Sequence, residues 1–275
     1  MDAVTALSSA SASPAPVQLR PNEALMVARL QGGSLAYVLR RSSQSRRLRV
    51  TILPDRGVVV SVPLATRRGW THPERAIERF LDEREAWLRR HLAGFARSRA
   101  ELAARGGLAD GGTLRYRGEL HRLRVVSETG RRSDVAHEVH LDGDELVVRL
   151  AGGDRRVVTT VVRDWLTDRA RVAIEGQVDR HAAAMAAIPT HVAMRDPRTR
   201  WGSASRTGRL MFSWRLVLAP PEALETVVVH ELAHLRVFGH GPAFWALVAS
   251  RRADHADWRL WLRRHSLELH GALGS

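Results

Sequence analysis

The 275-residue chain contains neither cysteine nor lysine. Without cysteine it can form no disulfide, offers no thiol nucleophile and has no thiolate ligand, so any metal must be held by His, Asp or Glu. Without lysine, a Walker-type phosphate lysine and Schiff-base chemistry are excluded. Long apolar runs are missing too, and nothing approaches the roughly 20 residues of a membrane helix. The opening MDAVTALSSASASPAPVQ has no basic start and no apolar stretch of signal-peptide strength. It reads as a disordered Ala/Ser/Pro tail, residues 1–24, on a cytoplasmic protein.

What is abundant is arginine. All 43 basic residues are Arg, against 29 acidic ones, for a formal net charge of +14. So complete a replacement of Lys reads as coding bias, which lowers the functional meaning of any single arginine. The charge still attracts polyanions at low salt, and both a nucleic-acid partner and a generally basic surface fit it. With 44% hydrophobic and 26% charged residues, the composition is that of an ordinary globular protein long enough to bury a core.

Two portions are expected after the tail: a β-rich one at 25–153 and a catalytic one at 154–275. Ser34 to Pro63 reads as strands, with a hairpin corner at Pro54-Asp55-Arg56-Gly57. The spacing of Ile77, Phe80, Leu81, Trp87 and Leu88 predicts one helix from about His72 to Arg99. LRYRGELHRLRVVSE and VAHEVHLDGDELVVRL predict further strands, the latter turning at Asp142-Gly143. Gly152-Gly153 closes the β-rich half. A long helix over 155–187 buries a stripe from Val158 to Ile174. GRLMFSWRLVLAP alternates as a strand, with Leu210, Phe212, Trp214, Leu216 and Leu218 on one face and Met211, Ser213 and Arg215 on the other. No internal repeat is evident.

The chemistry concentrates in VVVHELAHLRVFGHGPAFW, residues 227–245. On a helix, residues four apart share a face, so His230 and His234 can present two imidazoles to one ion. Glu231 sits about 100° round, within reach of a metal-bound water without being a ligand. Zinc held by three protein groups keeps a fourth position for water and lowers its pKa to about 7. A neighbouring carboxylate can take the proton and pass it to a leaving amine. His240 would lie about 9 Å beyond His234 on a straight helix. It can be the third ligand only if the chain bends, and Gly239 and Gly241-Pro242 allow that. Asp254, His255 or Asp257 are the alternatives for that position.

TRWGSAS at 199–205, GRLMFSWRLVLAP and the histidine stretch together resemble the YgjP-like metallopeptidase-domain family, which is related at the motif level to SprT-like proteases. The resemblance is close over 199–245 and looser from about Arg41 to Arg264. It implies an α+β, zincin-like metallopeptidase domain following the N-terminal β-rich portion. It further implies one Zn2+ ion on His230, His234 and His240, Glu231 as catalytic base, and a peptide or protein substrate. The family usually has cysteine after Arg-Trp-Gly-Ser, where this chain has Ala204. Metzincins share the His240 spacing but need glycine where Val237 stands, so that class is not assigned.

Arg200, Trp201 and Ser203 are candidate substrate-binding residues, on a strand edge that could receive substrate backbone. The competing reading packs Trp201 in the core and pairs Arg200 with an acid. Trp87, Trp165, Trp214, Trp245 and Trp261 read as core residues. His255, His265 and His270 read as surface residues of a terminal amphipathic helix. The expected activity is therefore a zinc-dependent metallopeptidase. A nucleic-acid-associated SprT-like protease and a non-catalytic basic binding module with structural zinc are the alternatives.

Overall fold

The structure is a computed structural model and describes residues 19–53, 56–127, 137–151, 158–197 and 199–273. Residues 1–18 of the expected tail, the Pro54-Asp55 corner and Gly152-Gly153 lie outside them. The fold is mixed α+β, with a β-rich N-terminal portion. It divides into two compact units, one ending at Leu92 and the other starting at Ala93. No helix among the described residues is long and apolar enough to cross a membrane.

The first unit holds β1 (Glu23–Leu30), β2 (Gly33–Arg41), β3 (Arg49–Leu53) and β4 (Gly57–Val62), in the spatial order β1-β2-β4-β3. The strands expected from Ser34 onward leave out β1. On this edge strand Leu25 and Val27 are exposed while Met26, Ala28 and Leu30 are buried or half-buried, so apolar residues fall on both faces and no alternation marks it. The single helix expected over His72–Arg99 is two, α1 (Glu74–Asp82) and α2 (Glu85–Ala104). Neither glycine nor proline marks the break at Glu83-Arg84, and buried Ile77, Leu81 and Leu88 keep helical spacing across it. Trp87, expected in the core, is 42% exposed.

The second unit repeats the first sheet's topology. Strands β5 (Thr113–Tyr116), β6 (Glu119–Ser127), β7 (Glu138–Asp142) and β8 (Glu145–Leu150) take the order β5-β6-β8-β7. In both sheets two antiparallel hairpins meet through a central parallel pair, β2 with β4 and β6 with β8. Asp142-Gly143 turns the β7–β8 hairpin as expected. Helix α3 (Val158–Ala182) buries Val158, Val162, Leu166, Ala170 and Ile174, while Val161 and Trp165 are only half-buried.

A third, small sheet leads to the histidines. In it β9 (His191–Arg195) lies parallel to β11 (Arg209–Ser213), and β10 (Gly202–Ala204) pairs antiparallel to β11 at the edge. The strand expected to run through Leu218 stops at Ser213, and Trp214–Leu218 form a 3₁₀ helix. Every residue from Phe212 to Ala219 is buried, so the apparent two-face alternation was a continuous core run. Arg215, expected on the polar face, is 2% exposed. Its Nε and Nη2 donate to the Asp196 carboxylate (2.7 and 3.3 Å), and its Nη1 donates to the Leu269 carbonyl (3.2 Å). The β5–β6 turn fixes this segment from outside. The Arg117 and Gly118 N–H groups donate to the Val217 and Leu218 carbonyls at 2.8 and 3.0 Å. The remaining helices are α4 (Pro221–His234), α5 (Pro242–Ala249) and α6 (His255–Gly271).

In the first unit, Glu23 accepts hydrogen bonds from Arg56 Nη1 (3.1 Å), Arg40 Nε (2.8 Å) and the Arg20 N–H (3.0 Å). The Arg56 contact contributes most to holding its carboxyl down at about 2. A lowered pKa favours the folded state once the carboxyl ionises. That stability is present above about 4.5 and is lost as pH falls towards 2. Urea unfolding of Glu23→Gln should show a loss of about 2 kcal/mol at pH 7. The gap to wild type should close as the pH is lowered through that window, and a gap that stays constant would contradict the assignment.

Candidate metal centre

Helix α4 opens with Pro221 at its first position, where the missing N–H costs nothing. From Ala223 to Ala233 it is buried on nearly every side, which makes it a central element rather than a surface amphipathic one. The helix ends at His234, earlier than a break at Gly239 would require. The Leu235 N–H bonds back to the Leu232 carbonyl (3.0 Å), tightening the last turn. Gly239 then takes φ +92°, a conformation that residues with a side chain seldom adopt. Extended Gly241 and Pro242 start α5. This path carries His240 back over the end of α4.

The three imidazoles converge. One nitrogen from each of His230, His234 and His240 lies within 4.8 Å of the others. Nε2 of His240 is 3.2 Å from Nε2 of His230. Two nitrogens bound tetrahedrally at about 2.05 Å to one ion stand roughly 3.3 Å apart, so this spacing suits a shared metal. Phe244, fully buried, backs the cluster with its ring centroid 4.9, 4.5 and 4.8 Å from those of His230, His234 and His240. Burial, then the neighbouring His234 and His240, hold His230 down at about 3. Burial also lowers His234, against a hydrogen bond to the Val237 backbone that orients its ring. Three converging imidazoles, two of them with pKa values lowered by burial, are the donor set a borderline divalent metal takes, and the residues present fit one.

Glu231 is 6% exposed, and its side chain lies against β10. Burial pushes its carboxyl up to about 7, against the opposing charge of Arg200. Gly202 lies directly against it. A β-carbon on Gly202 would stand 2.7 Å from Glu231 Cγ and 2.8 Å from Oε1, closer than side chains tolerate. Gly202 has no part assigned from sequence, and nothing in its local pattern signals this contact.

The other candidates are placed as follows. Arg200 is exposed at the start of β10, with its charge acting on Glu231. Trp201 is half-buried, packs against the core and stacks on His270 at 4.5 Å, as its competing core reading expected. Ser203 is half-buried opposite Met211. His270, expected at the surface, is 4% exposed. Nothing in the sequence indicated that α6 would turn this face to Trp201. Trp245 lies 5.6 Å from His240 and 5.7 Å from His230, and it carries His255 and Arg259 stacked against it.

Two imidazoles a helical turn apart, a third returned by a bend and a buried carboxyl between the first two define the site pattern of metal-dependent peptidases. The chain belongs to the YgjP-like metallopeptidase-domain family, whose model matches residues 46–265. No curated protein and no solved structure matches it.

Two outcomes follow from Glu231. Gly202→Ala should displace its carboxyl while leaving the three imidazoles in place. Metal content by elemental analysis should then stay at the wild-type level while any hydrolytic turnover falls; loss of metal together with turnover would mean the glycine supports the whole centre. The second outcome concerns the metal-free protein. A raised carboxyl pKa favours folding while the proton is held, so this stability is lost as pH rises from 4.5 through about 7. Glu231→Gln, which cannot ionise, should therefore be more stable than wild type at pH 8, by up to about 3 kcal/mol. The two should converge near pH 4, and equal stabilities at both pH values would contradict the burial argument.

Proposed function

We propose that the protein is a zinc-dependent hydrolase, a metallopeptidase, in which His230, His234 and His240 hold one zinc ion and Glu231 is the general base. The observation that carries this reading is the convergence of three imidazoles, with a buried carboxyl on the same helix whose pKa is raised to about 7. Zinc, when bound, supplies a Lewis acid that polarises a carbonyl and acidifies water. The protein's own groups do the rest. A Glu231 carboxyl titrating near neutrality can accept a proton from attacking water and return it to the leaving amine nitrogen. Gly202 lets β10 lie against that carboxyl and shield it from bulk water. Phe244 backs the site with an apolar ring, and burial lowers the pKa of His230 and His234.

Substrate binding is the less constrained part. Strand β10 is the outer strand of its sheet, and its first residue touches Glu231. An extended peptide adding to this edge would run past the base, with Arg200 at its entry and Ser203 along its length. Trp201 supports the strand from the core side rather than meeting substrate.

The test is cleavage of an unstructured protein by the zinc-loaded chain. Glu231→Gln should lower turnover by at least about a hundredfold with zinc content unchanged. His230→Ala and His234→Ala should each lose stoichiometric zinc, and His240→Ala should bind it more weakly. Full zinc occupancy in His240→Ala would remove that residue from the ligand set, and undiminished turnover in Glu231→Gln would end the general-base assignment.

A further inference from the structure

Arg259 of α6 occupies a position that the reaction chemistry above leaves unexplained. Its Cζ lies 4.0 Å from the centroid of the Trp245 ring. Trp245 in turn is stacked towards His240, with centroids 5.6 Å apart and planes 29° apart. Parallel to the same ring, 5.3 Å away, lies His255. A guanidinium is thus held one aromatic ring from the metal centre.

This cation has no carboxylate partner among the described residues. Asp254 accepts from Arg252 Nη2 (2.8 Å) and from Trp258 Nε1 (2.7 Å). Asp257 is two positions before Arg259 and so lies on another face of α6. Glu268 is bonded to Arg115, Nε to Oε1, at 3.1 Å. The nearest charge on the Arg259 face of the helix is Arg263, one turn on, and it repels. Partial burial already disfavours the Arg259 cation. An arginine stacked by one face keeps the N–H groups of its edge for a planar, bidentate acceptor, which a carboxylate is. Residue type adds nothing here, because every basic position in the chain is arginine. The position does.

We infer that Arg259 binds a carboxylate of the substrate, so that the centre selects peptides carrying a carboxylate next to the scissile bond. Two sources share this chemistry, an acidic side chain and a free C-terminus. Arg200, whose charge acts on Glu231, adds further positive charge. The inference rests on the hydrolase reading, and its test separates the two.

The experiment measures binding by calorimetry to zinc-loaded Glu231→Gln protein, in which turnover is expected to be at least about a hundredfold slower. The probes are N-acetyl-Ala-Glu-Ala amide, N-acetyl-Ala-Gln-Ala as the free acid, and N-acetyl-Ala-Gln-Ala amide. One or both carboxylate probes should bind roughly tenfold more tightly than the neutral amide, and which one does identifies the source. Adding Arg259→Gln should bring that ratio close to one, and Arg259→Lys should retain part of it. Arg171→Gln on α3, which removes the same charge far along the chain, should leave the ratio unchanged. Equal binding of all three probes, a preference that survives Arg259→Gln, or no binding of any probe would overturn the inference. Cleavage by the wild type is scored separately. A carboxylate preference without cleavage would keep Arg259 as a binding residue and sink the hydrolase reading.

Discussion

The metal centre depends on the burial of one helix. Val227, Val228, Val229, Leu232 and Ala233 anchor α4 in the core, while His230 and His234 are half-buried. Removing those side chains from water supplies the free energy that holds a carboxyl and two imidazoles where none of them would choose to ionise. The raised Glu231 and the lowered His230 and His234 share that cause, desolvation, as the largest contribution to each. Apolar packing and acid–base tuning are therefore one property of this helix. A substitution that let water reach α4 would relax all three groups together.

Polar contacts fix how the surrounding helices meet α4. Glu225 of α4 accepts from Arg252 Nη1 at 2.9 Å and faces His181 Nε2 of α3 at 2.7 Å. Arg251 Nε donates to His181 Nδ1 (3.3 Å), which makes Nε2 the proton-bearing nitrogen of that ring. Arg252 also reaches Asp254, just before α6, and Asp254 accepts from Trp258. The chain of contacts from α3 through α4 to the start of α6 sets where His255 and Arg259 stand over Trp245. Here the arrangement leads to the stacked rings beside the metal centre.

Much of the centre was legible in the sequence because its key spacing is local. Residues four apart share a helical face in any context, so His230, His234 and the offset Glu231 could be placed without the fold. The bend that returns His240 was signalled by glycine and proline, although the helix ends at His234 and Gly239 only shapes the following loop. Gly202 and Arg259 were not legible. Their importance arises from contacts between β10 and α4 and between α6 and α5, which no local pattern encodes. Periodicity also misled where burial is complete. From Phe212 to Ala219 both faces are buried, so alternation carried no information, and a 3₁₀ turn whose buried Arg215 pairs with Asp196 took the place of a strand. The repeated strand order of the two four-stranded sheets was equally invisible, since topology can recur without similar residues.

The central claim is an open metal site made of three histidines, with Glu231 beside it as a base and outside the ligand set. X-ray absorption at the zinc edge of the zinc-loaded protein tests this directly. The account predicts three imidazole nitrogens at about 2.0 Å and a single light-atom ligand that exogenous azide or chloride displaces. The same spectrum should be obtained from Glu231→Gln. A fourth protein ligand that resists displacement, or a spectrum that changes when Glu231 loses its charge, would contradict it.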